Sequence, residues 1–170
     1  MHQPRALPSA SVDRVTLVID DSPTMRKLVR HMLYQVGLRD HVHDASSADC
    51  LPLLRRFKPR LIILSWDIEG PGSSNFVTFI RNPTFSSAAH TPILATIERP
   101  TLRNIRAMQA LGIRACLKKP FSLRALRERV AALASMVQTD DAEILVRPRP
   151  RLATAAAVRD RSPYSEQVLI

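Results

Sequence analysis

An apolar run that ends abruptly at polar residues constrains this chain more than any other feature. Leu61 to Leu64 are four branched apolar residues, and Ser65-Trp66-Asp67 follow them directly, before a loop that contains Gly70 and Gly72. A short uninterrupted run of this kind is typical of a strand buried on both faces of a parallel sheet. Sites in such sheets form at the carboxyl ends of the strands. We therefore expect a functional site at residues 65–67.

Strand-like and helix-like patterns alternate on both sides of this run. Further strands are predicted at 15–19, 42–45, 92–97 and 113–117. The clearest helix begins after the capping residue Ser22, with Pro23 in its first turn, and ends at Gly37. Five strands that alternate with five helices predict a parallel α/β sheet with right-handed crossovers and helices on both faces. The other helices are expected near 47–57, 76–81, 102–111 and 123–137, with Pro52 either in the first turn of the second helix or kinking it.

The length of 170 residues fits one domain with short terminal segments. We expect residues 1–14 to be a disordered leader, residues 15–138 to form the folded domain, and residues 139–170 to be a flexible tail that contains Pro and Arg. The tail is too short and too poor in apolar residues to form a DNA-binding output domain. The folded domain is therefore expected to carry the function.

The composition indicates a soluble cytoplasmic protein. No stretch approaches the length of uniformly apolar sequence that crosses a membrane, and the first residues lack the apolar core of a secretory signal. Cys50 and Cys116 are too few and too far apart for a metal pair or a disulfide framework. We expect both to be buried, reduced thiols.

The formal net charge of +10 is expected to lie on the folded domain, because five arginines balance five acidic residues from residue 139 onward. A basic domain attracts phosphorylated ligands or acidic partner surfaces. Aromatic residues make up only 5% of the chain, and no recognition-helix, zinc or base-stacking motif is found. These features argue against nucleic acid as the partner.

Three polar features meet at the carboxyl edge of the predicted sheet. Asp20 and Asp21 follow the first strand, residues 65–67 follow the central one, and Lys119 follows the fifth, before Pro120. Adjacent carboxylates hold a hard divalent cation through their oxygens, and an opposing lysine neutralises an anion bound beside it. Taken singly, Asp20 would be a helix cap and Lys119 a surface lysine. Together they indicate phosphoryl chemistry.

The segments IDDSPTMRKLVRHML and LKKPFS resemble the receiver domain of bacterial response regulators, particularly the single-domain chemotaxis type. The resemblance spans about Val15 to Val137. It implies a flavodoxin-like (βα)5 fold with a doubly wound, five-stranded parallel sheet, in a two-component phosphorelay. It also implies that Asp20 and Asp21 bind magnesium and that Lys119 contacts a phosphoryl group. In this family a histidine kinase donates that group to an aspartate on the central strand.

The central strand departs from the family pattern. Counted without gaps from the helix at 76–81, the phosphoacceptor position is occupied by Ser65. A serine hydroxyl is a poor nucleophile without an activating base, and its ester lacks the lability of an acyl phosphate. The metal site also loses a carboxylate, so we expect magnesium binding to be weak. In an alternative register the acceptor is Asp67, which lies four residues before Pro71, the separation that the family shows.

The positions that the resemblance assigns to the conformational switch also differ. The switch hydroxyl at the end of the fourth strand falls on Ile97, with Thr96 one residue earlier, and the switch aromatic of the fifth strand falls on Cys116. Ile97 has no group that hydrogen-bonds a phosphoryl oxygen. The usual coupling between the phosphoryl group and the partner-binding face is therefore expected to be absent or altered.

The face formed by the fourth helix, the fifth strand and the fifth helix, where receivers meet partners, is rich in arginine. Arginine suits acidic peptides and phosphates because its guanidinium forms paired hydrogen bonds, and it also stacks on nucleobases. Some receiver-like proteins that this chain resembles bind a cyclic dinucleotide through such residues. The arginines in this part of the sequence are Arg99, Arg103, Arg106, Arg114, Arg124, Arg127 and Arg129.

Together these features predict a pseudo-receiver: a single-domain, response-regulator-like signalling protein that is not an enzyme and acts by protein–protein interaction. The expected partner is a histidine kinase, a phosphotransfer protein, a motor component or another regulator. Two alternatives stay open. The first is a phosphorylatable receiver that uses Asp67, and the second is an arginine-dependent sensor of a cyclic dinucleotide.

Overall fold

The computed structural model describes residues 15–38, 42–70 and 72–136. The predicted leader and tail lie outside these ranges. No helix among the described residues is both long enough and apolar enough to cross a membrane.

Five parallel strands form a single sheet, as the sequence predicts. The strands are β1 (Thr16–Ile19), β2 (Val42–Ala45), β3 (Leu61–Ser65), β4 (Ile93–Ile97) and β5 (Ala115–Lys118). Their order is β2-β1-β3-β4-β5. The strand order reverses between β1 and β3, and this reversal opens a crevice at their carboxyl ends. All residues of β3 and β4 are buried, which explains their uninterrupted apolar sequences.

Five helices cover the sheet. They are α1 (Pro23–Gln35), α2 (Leu51–Arg56), α3 (Ser73–Arg81), α4 (Leu102–Ala110) and α5 (Leu123–Met136). At the start of α1 the Ser22 hydroxyl accepts a hydrogen bond from the Met25 amide (3.3 Å), and Pro23 is the first helical residue, as predicted. The flavodoxin-like fold expected from the resemblance is thus confirmed.

Two elements are shorter than predicted. Helix α2 begins at Leu51, because residues 47–49 form a turn in which the Ser46 hydroxyl binds the Asp49 amide (3.2 Å), and Pro52 lies in the first turn of the helix without kinking it. Strand β5 begins after Ile113, whose amide donates to the Met108 carbonyl oxygen at 2.9 Å. The Ile113 amide is therefore hydrogen-bonded to the end of α4 and is unavailable for strand pairing in the sheet.

Hydrophobic cores lie on both faces of the sheet. On one face Leu33 of α1 and Leu126 of α5 pack with Ile63 of β3. On the other face Leu54 of α2 and Ile80 of α3 pack in a second cluster, with further contributions from α4. Each such fully buried side chain stabilises the fold by roughly 1.5–3 kcal/mol. These cores fix the strand ends, and therefore the polar side chains beyond them, in place.

The loop between β3 and α3 turns sharply. Gly72, at the start of α3, has a φ of 83°, a conformation that side chains with a Cβ atom rarely adopt. The Ser73 hydroxyl donates to the Trp66 carbonyl oxygen and joins the two ends of the loop. Residues 66–69 are therefore held beside the carboxyl end of β3.

Candidate functional site

The carboxyl edge of the sheet brings together three of the predicted site residues. The Lys119 ammonium donates to Asp20 Oδ2 and to Ser65 Oγ, each at 2.9 Å. Asp20 follows β1, Ser65 is the last residue of β3, and Lys119 follows β5 and precedes a cis peptide bond to Pro120. Asp20 and Ser65 are buried, at 5% and 2% exposure. A buried, fully engaged ammonium group thus occupies the centre of the site.

Asp67 reaches the same ammonium from the loop beyond β3. Its Oδ2 atom lies 3.7 Å from Lys119 Nζ, and it also accepts a hydrogen bond from the Glu98 amide at 2.9 Å. The Asp67 amide in turn donates to Ser65 Oγ at 3.2 Å. Ser65 therefore lies on the strand and Asp67 on the loop, and both side chains face Lys119. The contribution of the Glu98 amide has no signal in the sequence.

Asp21, the second predicted metal ligand, is held by other protein groups. Its carboxylate accepts hydrogen bonds from the Ser47 amide (2.8 Å), the Ser47 hydroxyl (3.1 Å) and the Glu69 amide (2.8 Å). Burial raises the pKa of Asp21, but these hydrogen bonds and the charge of Arg26 outweigh it, so the pKa lies below its usual value of 3.8. Asp21 thus joins the loops that follow β2 and β3.

Ser47 is a site residue that the sequence reasoning missed. It follows β2, so its position at the carboxyl edge of a parallel sheet was a usable signal. No pattern in the sequence shows that it would bind Asp21 and no other group.

Receiver domains commonly bind Mg²⁺ at an acidic site, and here the carboxylates of Asp20 and Asp21 are hydrogen-bonded to protein groups. Magnesium demands several oxygen ligands in near-octahedral geometry. Asp20 uses Oδ2 for Lys119 and Oδ1 for the Ser22 amide (2.8 Å), while both oxygens of Asp21 accept hydrogen bonds. Within residues 15–38, 42–70 and 72–136, no group of three or more His, Cys, Asp or Glu side chains is placed to hold a metal ion.

The predicted switch positions are buried. Ile97 and Cys116 are each 1% exposed and belong to the core cluster on the α3 and α4 side of the sheet. Thr96 is 2% exposed and pairs in register with Ser65. Because successive side chains of a strand point to opposite faces, the Thr96 side chain lies on the other face from Ile97. The side chain of Ile97 is thus part of the core and carries no polar group toward Lys119.

We define the arginine face as the exposed arginines of α4, β5, α5 and their preceding loops. Within the described part of the chain, only Arg124 of this set forms a salt bridge, with Glu128 at 2.8 Å. Arg129 was expected on this face but is buried, at 6% exposure. Arg114 is exposed but lies at the amino end of β5, away from Lys119. The members of the arginine face are Arg99, Arg103, Arg106, Arg114, Arg124 and Arg127.

A comparison with protein-family models gives a match over residues 16–131 to the model described as "Response regulator receiver domain". The chain belongs to the response regulator receiver family. Receiver domains are signalling modules, and those of the CheY type act through protein partners. This receiver is therefore a CheY-type signalling protein.

Curated relatives of this receiver include chemotaxis proteins. It is 27% identical to chemotaxis protein CheY-3 of Vibrio cholerae over 115 residues, which cover 67% of this chain and 86% of the relative. It is 25% identical to chemotaxis protein CheY of Pseudomonas aeruginosa over 122 residues, which cover 71% of this chain and 96% of the relative. These matches support the expected two-component and chemotaxis-type context.

Solved structures show the same fold. CheY4 of Vibrio cholerae superposes on this receiver with a TM-score of 0.63 at 23% identity, covering 71% of this chain and 98% of CheY4. The receiver domain of a DNA-binding response regulator from Colwellia psychrerythraea superposes with a TM-score of 0.63 at 21% identity, covering 72% and 99%. At these identities the likeness concerns the fold alone.

Proposed function

We propose that this chain is a pseudo-receiver, a cytoplasmic signalling protein that binds protein partners and has no enzymatic turnover of its own. The observation that carries this proposal is the 2.9 Å contact between Ser65 Oγ and Lys119 Nζ. The family resemblance assigns a phosphorylated aspartate to the position that Ser65 occupies at the end of β3. In this chain the Lys119 ammonium contacts the Ser65 hydroxyl at that position instead of a carboxylate.

The surroundings of Ser65 do not activate it as a nucleophile. Its Oγ atom receives hydrogen bonds from Lys119 Nζ and from the Asp67 amide. Both groups are donors, and the ammonium is already ion-paired with Asp20. A serine needs a neighbouring base to remove its proton before it attacks phosphorus. We therefore expect Ser65 to remain unmodified.

We expect magnesium binding to be weak, because the site offers few free oxygen ligands. The missing carboxylate at Ser65 and the occupied oxygens of Asp21 leave few free ligands. Trp66, the only tryptophan, adjoins the site and is 9% exposed. A magnesium titration monitored by Trp66 fluorescence should show no saturable change in the low millimolar range.

The arginine face is the proposed docking surface for a protein partner. Arg103 and Arg106 of α4 and Arg127 of α5 are exposed and form no salt bridge within the described ranges. Free guanidinium groups suit the carboxylates of an acidic surface, because they bind them through two parallel hydrogen bonds. We therefore expect the partner to be a kinase, a phosphotransfer protein or a motor component whose surface carries an acidic patch.

A phosphorylatable receiver that uses Asp67 is the second candidate function. The observation in its favour is the 3.7 Å separation between Asp67 Oδ2 and Lys119 Nζ. The Asp67 side chain is 32% exposed, so a phosphodonor can reach it. Against it, the oxygen nearest to the lysine already accepts a hydrogen bond from the Glu98 amide.

The deciding experiment is the intact mass of the protein after incubation with acetyl phosphate and magnesium, followed by mapping of any modified residue. The pseudo-receiver proposal expects no phosphoryl adduct on the folded protein. A labile adduct on Asp67 would overturn it and establish the second candidate. A receiver with an ordinary aspartate acceptor, treated in parallel, shows that the donor is active.

The docking surface is tested by reversing charge. The double variant Arg103→Glu/Arg106→Glu should lose the proteins that the wild type captures from a lysate of the source cells, as quantified by mass spectrometry. The matched control Arg55→Glu/Lys58→Glu makes the same charge change in and just after α2, and should retain them. Equal retention by both variants would rule out the arginine face as the docking surface.

A further inference from the structure

A cavity of about 530 Å³ lies at the opposite edge of the sheet from Lys119. It opens where α3 and α4 end and where β4 and β5 begin. Its volume is within the range of about 300–1,000 Å³ that is typical of small-molecule sites. Apolar residues of β4, of the end of α4 and of α5 form part of its wall, namely Ile93, Leu111 and Leu133. The cavity contains no residue of the phosphorylation site, and it shares one residue, Arg114, with the arginine face.

Three basic side chains line this cavity. They are Arg81, His90 and Arg114, and no aspartate or glutamate among the described residues lines it. Arg81 is the last residue of α3, His90 lies in the loop before β4, and Arg114 directly precedes β5. Residues that are remote in sequence thus bring two guanidinium groups and an imidazole to one cavity, and none of the described carboxylates lines it.

Arg81 is anchored by backbone carbonyl groups and keeps donors to spare. Its Nη1 atom donates to the carbonyl oxygens of Thr91 (2.7 Å) and Ala89 (3.0 Å), and its Nε atom donates to that of Leu111 (3.4 Å). Its Nη2 atom makes no hydrogen bond within the described ranges, and Arg81 forms no salt bridge there. Burial lowers the pKa of Arg81, because its charge is partly desolvated.

A purely structural role would account for Arg81 alone. Its three hydrogen bonds join the end of α3 to the loop before β4 and to the end of α4. They do not account for Arg114, an exposed residue with no hydrogen bond or ion pair to the other described residues. An anchored guanidinium and an exposed one at the same cavity suit phosphate, because guanidinium groups bind its oxygens through paired hydrogen bonds.

We propose that this cavity binds a small organic phosphate, with its phosphate group between Arg81 and Arg114 and its apolar portion against Ile93 and Leu133. A phosphate is favoured over a carboxylate because its three terminal oxygens match the donors of two guanidinium groups and His90. The apolar wall favours a phosphate that carries a ring or hydrocarbon group over inorganic phosphate. The phosphate stabilises the charges of the two arginines, which no acidic side chain in the described part of the chain offsets.

Phenyl phosphate is a suitable probe, with inorganic phosphate and phenol as its two halves. Titration should be followed by ¹H–¹⁵N NMR, which gives both the dissociation constant and the location of binding. The expected result is saturable binding that shifts the amides of Ile93 and Gly112, with weaker binding of either half. Shifts confined to residues around Lys119, or the absence of saturable binding, would overturn the proposal.

Substitutions then test the assigned residues. Arg114→Ala should weaken phenyl phosphate binding by about tenfold or more, because a charge-assisted hydrogen bond is lost. His90→Ala should weaken it to a smaller extent. Arg103→Ala is the matched control: it removes an exposed arginine of α4 that does not line the cavity, and should bind as the wild type does.

Arg81 requires a conservative change because of its backbone contacts. Arg81→Lys keeps the positive charge and should weaken phenyl phosphate binding while the NMR spectrum remains that of a folded protein. Wild-type affinity in both Arg114→Ala and Arg81→Lys would overturn the assignment of the cavity. An equal loss in Arg103→Ala would show general attraction to a basic protein and would also overturn it.

Discussion

Lys119 Nζ lies 2.9 Å from Asp20 Oδ2, and the two side chains are only 9% and 8% exposed. This ion pair connects the end of β5 to the end of β1 across the intervening strands. Ser65 Oγ completes the contact from β3. A charge with so little access to water persists only with a well-placed partner. The pair therefore joins β1 to β5 and contributes to the stability of the fold.

Replacing Lys119 by methionine should destabilise the protein strongly. The change leaves the Asp20 carboxylate buried without its counter-charge, and breaking such a pair costs about 3–5 kcal/mol. The free energy of unfolding is measured by guanidinium denaturation followed by Trp66 fluorescence. The double variant Asp20→Asn/Lys119→Met should recover part of the loss, since the buried carboxylate at position 20 is then removed as well, and Asp67 is partly exposed to water. A single variant as stable as the wild type would contradict the structural role of the pair.

Much of the fold was predictable from local patterns. Only one interpretation was available for the apolar runs of β3 and β4, for the cap at Ser22 and for the helical spacing of α1. A strand buried on both faces and an amphipathic helix differ in the periodicity of their apolar residues. The length of α2 was not predictable in this way. The turn at residues 47–49 contains a hydrogen bond from the Asp49 amide to the Ser46 hydroxyl, and such side-chain bonds compete with helix formation.

The site was predictable in position but not in its contacts. The carboxyl edge of a parallel sheet gathers Asp20, Ser65 and Lys119 whatever the loops do. The attachment of Asp21 to Ser47 depends on the paths of two loops, which no local pattern encodes. The same is true of the cavity beside Arg81, whose lining comes from four separate segments.

Ser65→Asp should restore a phosphoacceptor. A carboxylate at position 65 would face Lys119, and its acyl phosphate would form with acetyl phosphate in the presence of magnesium. The expected result is an intact-mass gain of one phosphoryl group that is lost on treatment with hydroxylamine. Ser65→Ala, which has neither carboxylate nor hydroxyl, should gain nothing. An adduct that maps to Asp67 in both variants would contradict the assignment of Ser65 to the acceptor position.

Ser47→Ala should raise the pKa of Asp21. It removes the hydrogen bond of 3.1 Å from the Ser47 hydroxyl, one of the contacts that lower this pKa. Because the folded-state pKa is below the unfolded one, Asp21 stabilises the fold above its unfolded pKa and loses this contribution as pH falls through the folded value. The variant should therefore keep less of this contribution to stability at neutral pH. Carboxyl ¹³C NMR titration measures the shift directly.

The matched control for this prediction is Ser46→Ala. It removes a neighbouring hydroxyl that donates to Asp49 at 2.6 Å and makes no contact with Asp21. The Asp21 pKa should be unchanged in this variant. An equal rise in both variants would mean that the loop had rearranged, and not that a single hydrogen bond was lost.

The two thiols should be unreactive in the folded protein. Burial raises the pKa of Cys50 to about 12 and that of Cys116 to about 11, and each residue is 1% exposed. The thiolate is the reactive form, so at pH 8 roughly one thiol in a thousand or fewer is ionised. Alkylation by iodoacetamide, followed by intact mass, should be at least about a hundredfold slower in buffer than in guanidinium. Rapid labelling of Cys116 in the folded protein would show that β5 and α4 separate readily, since that thiol is buried in the core cluster on the α3 and α4 side of the sheet.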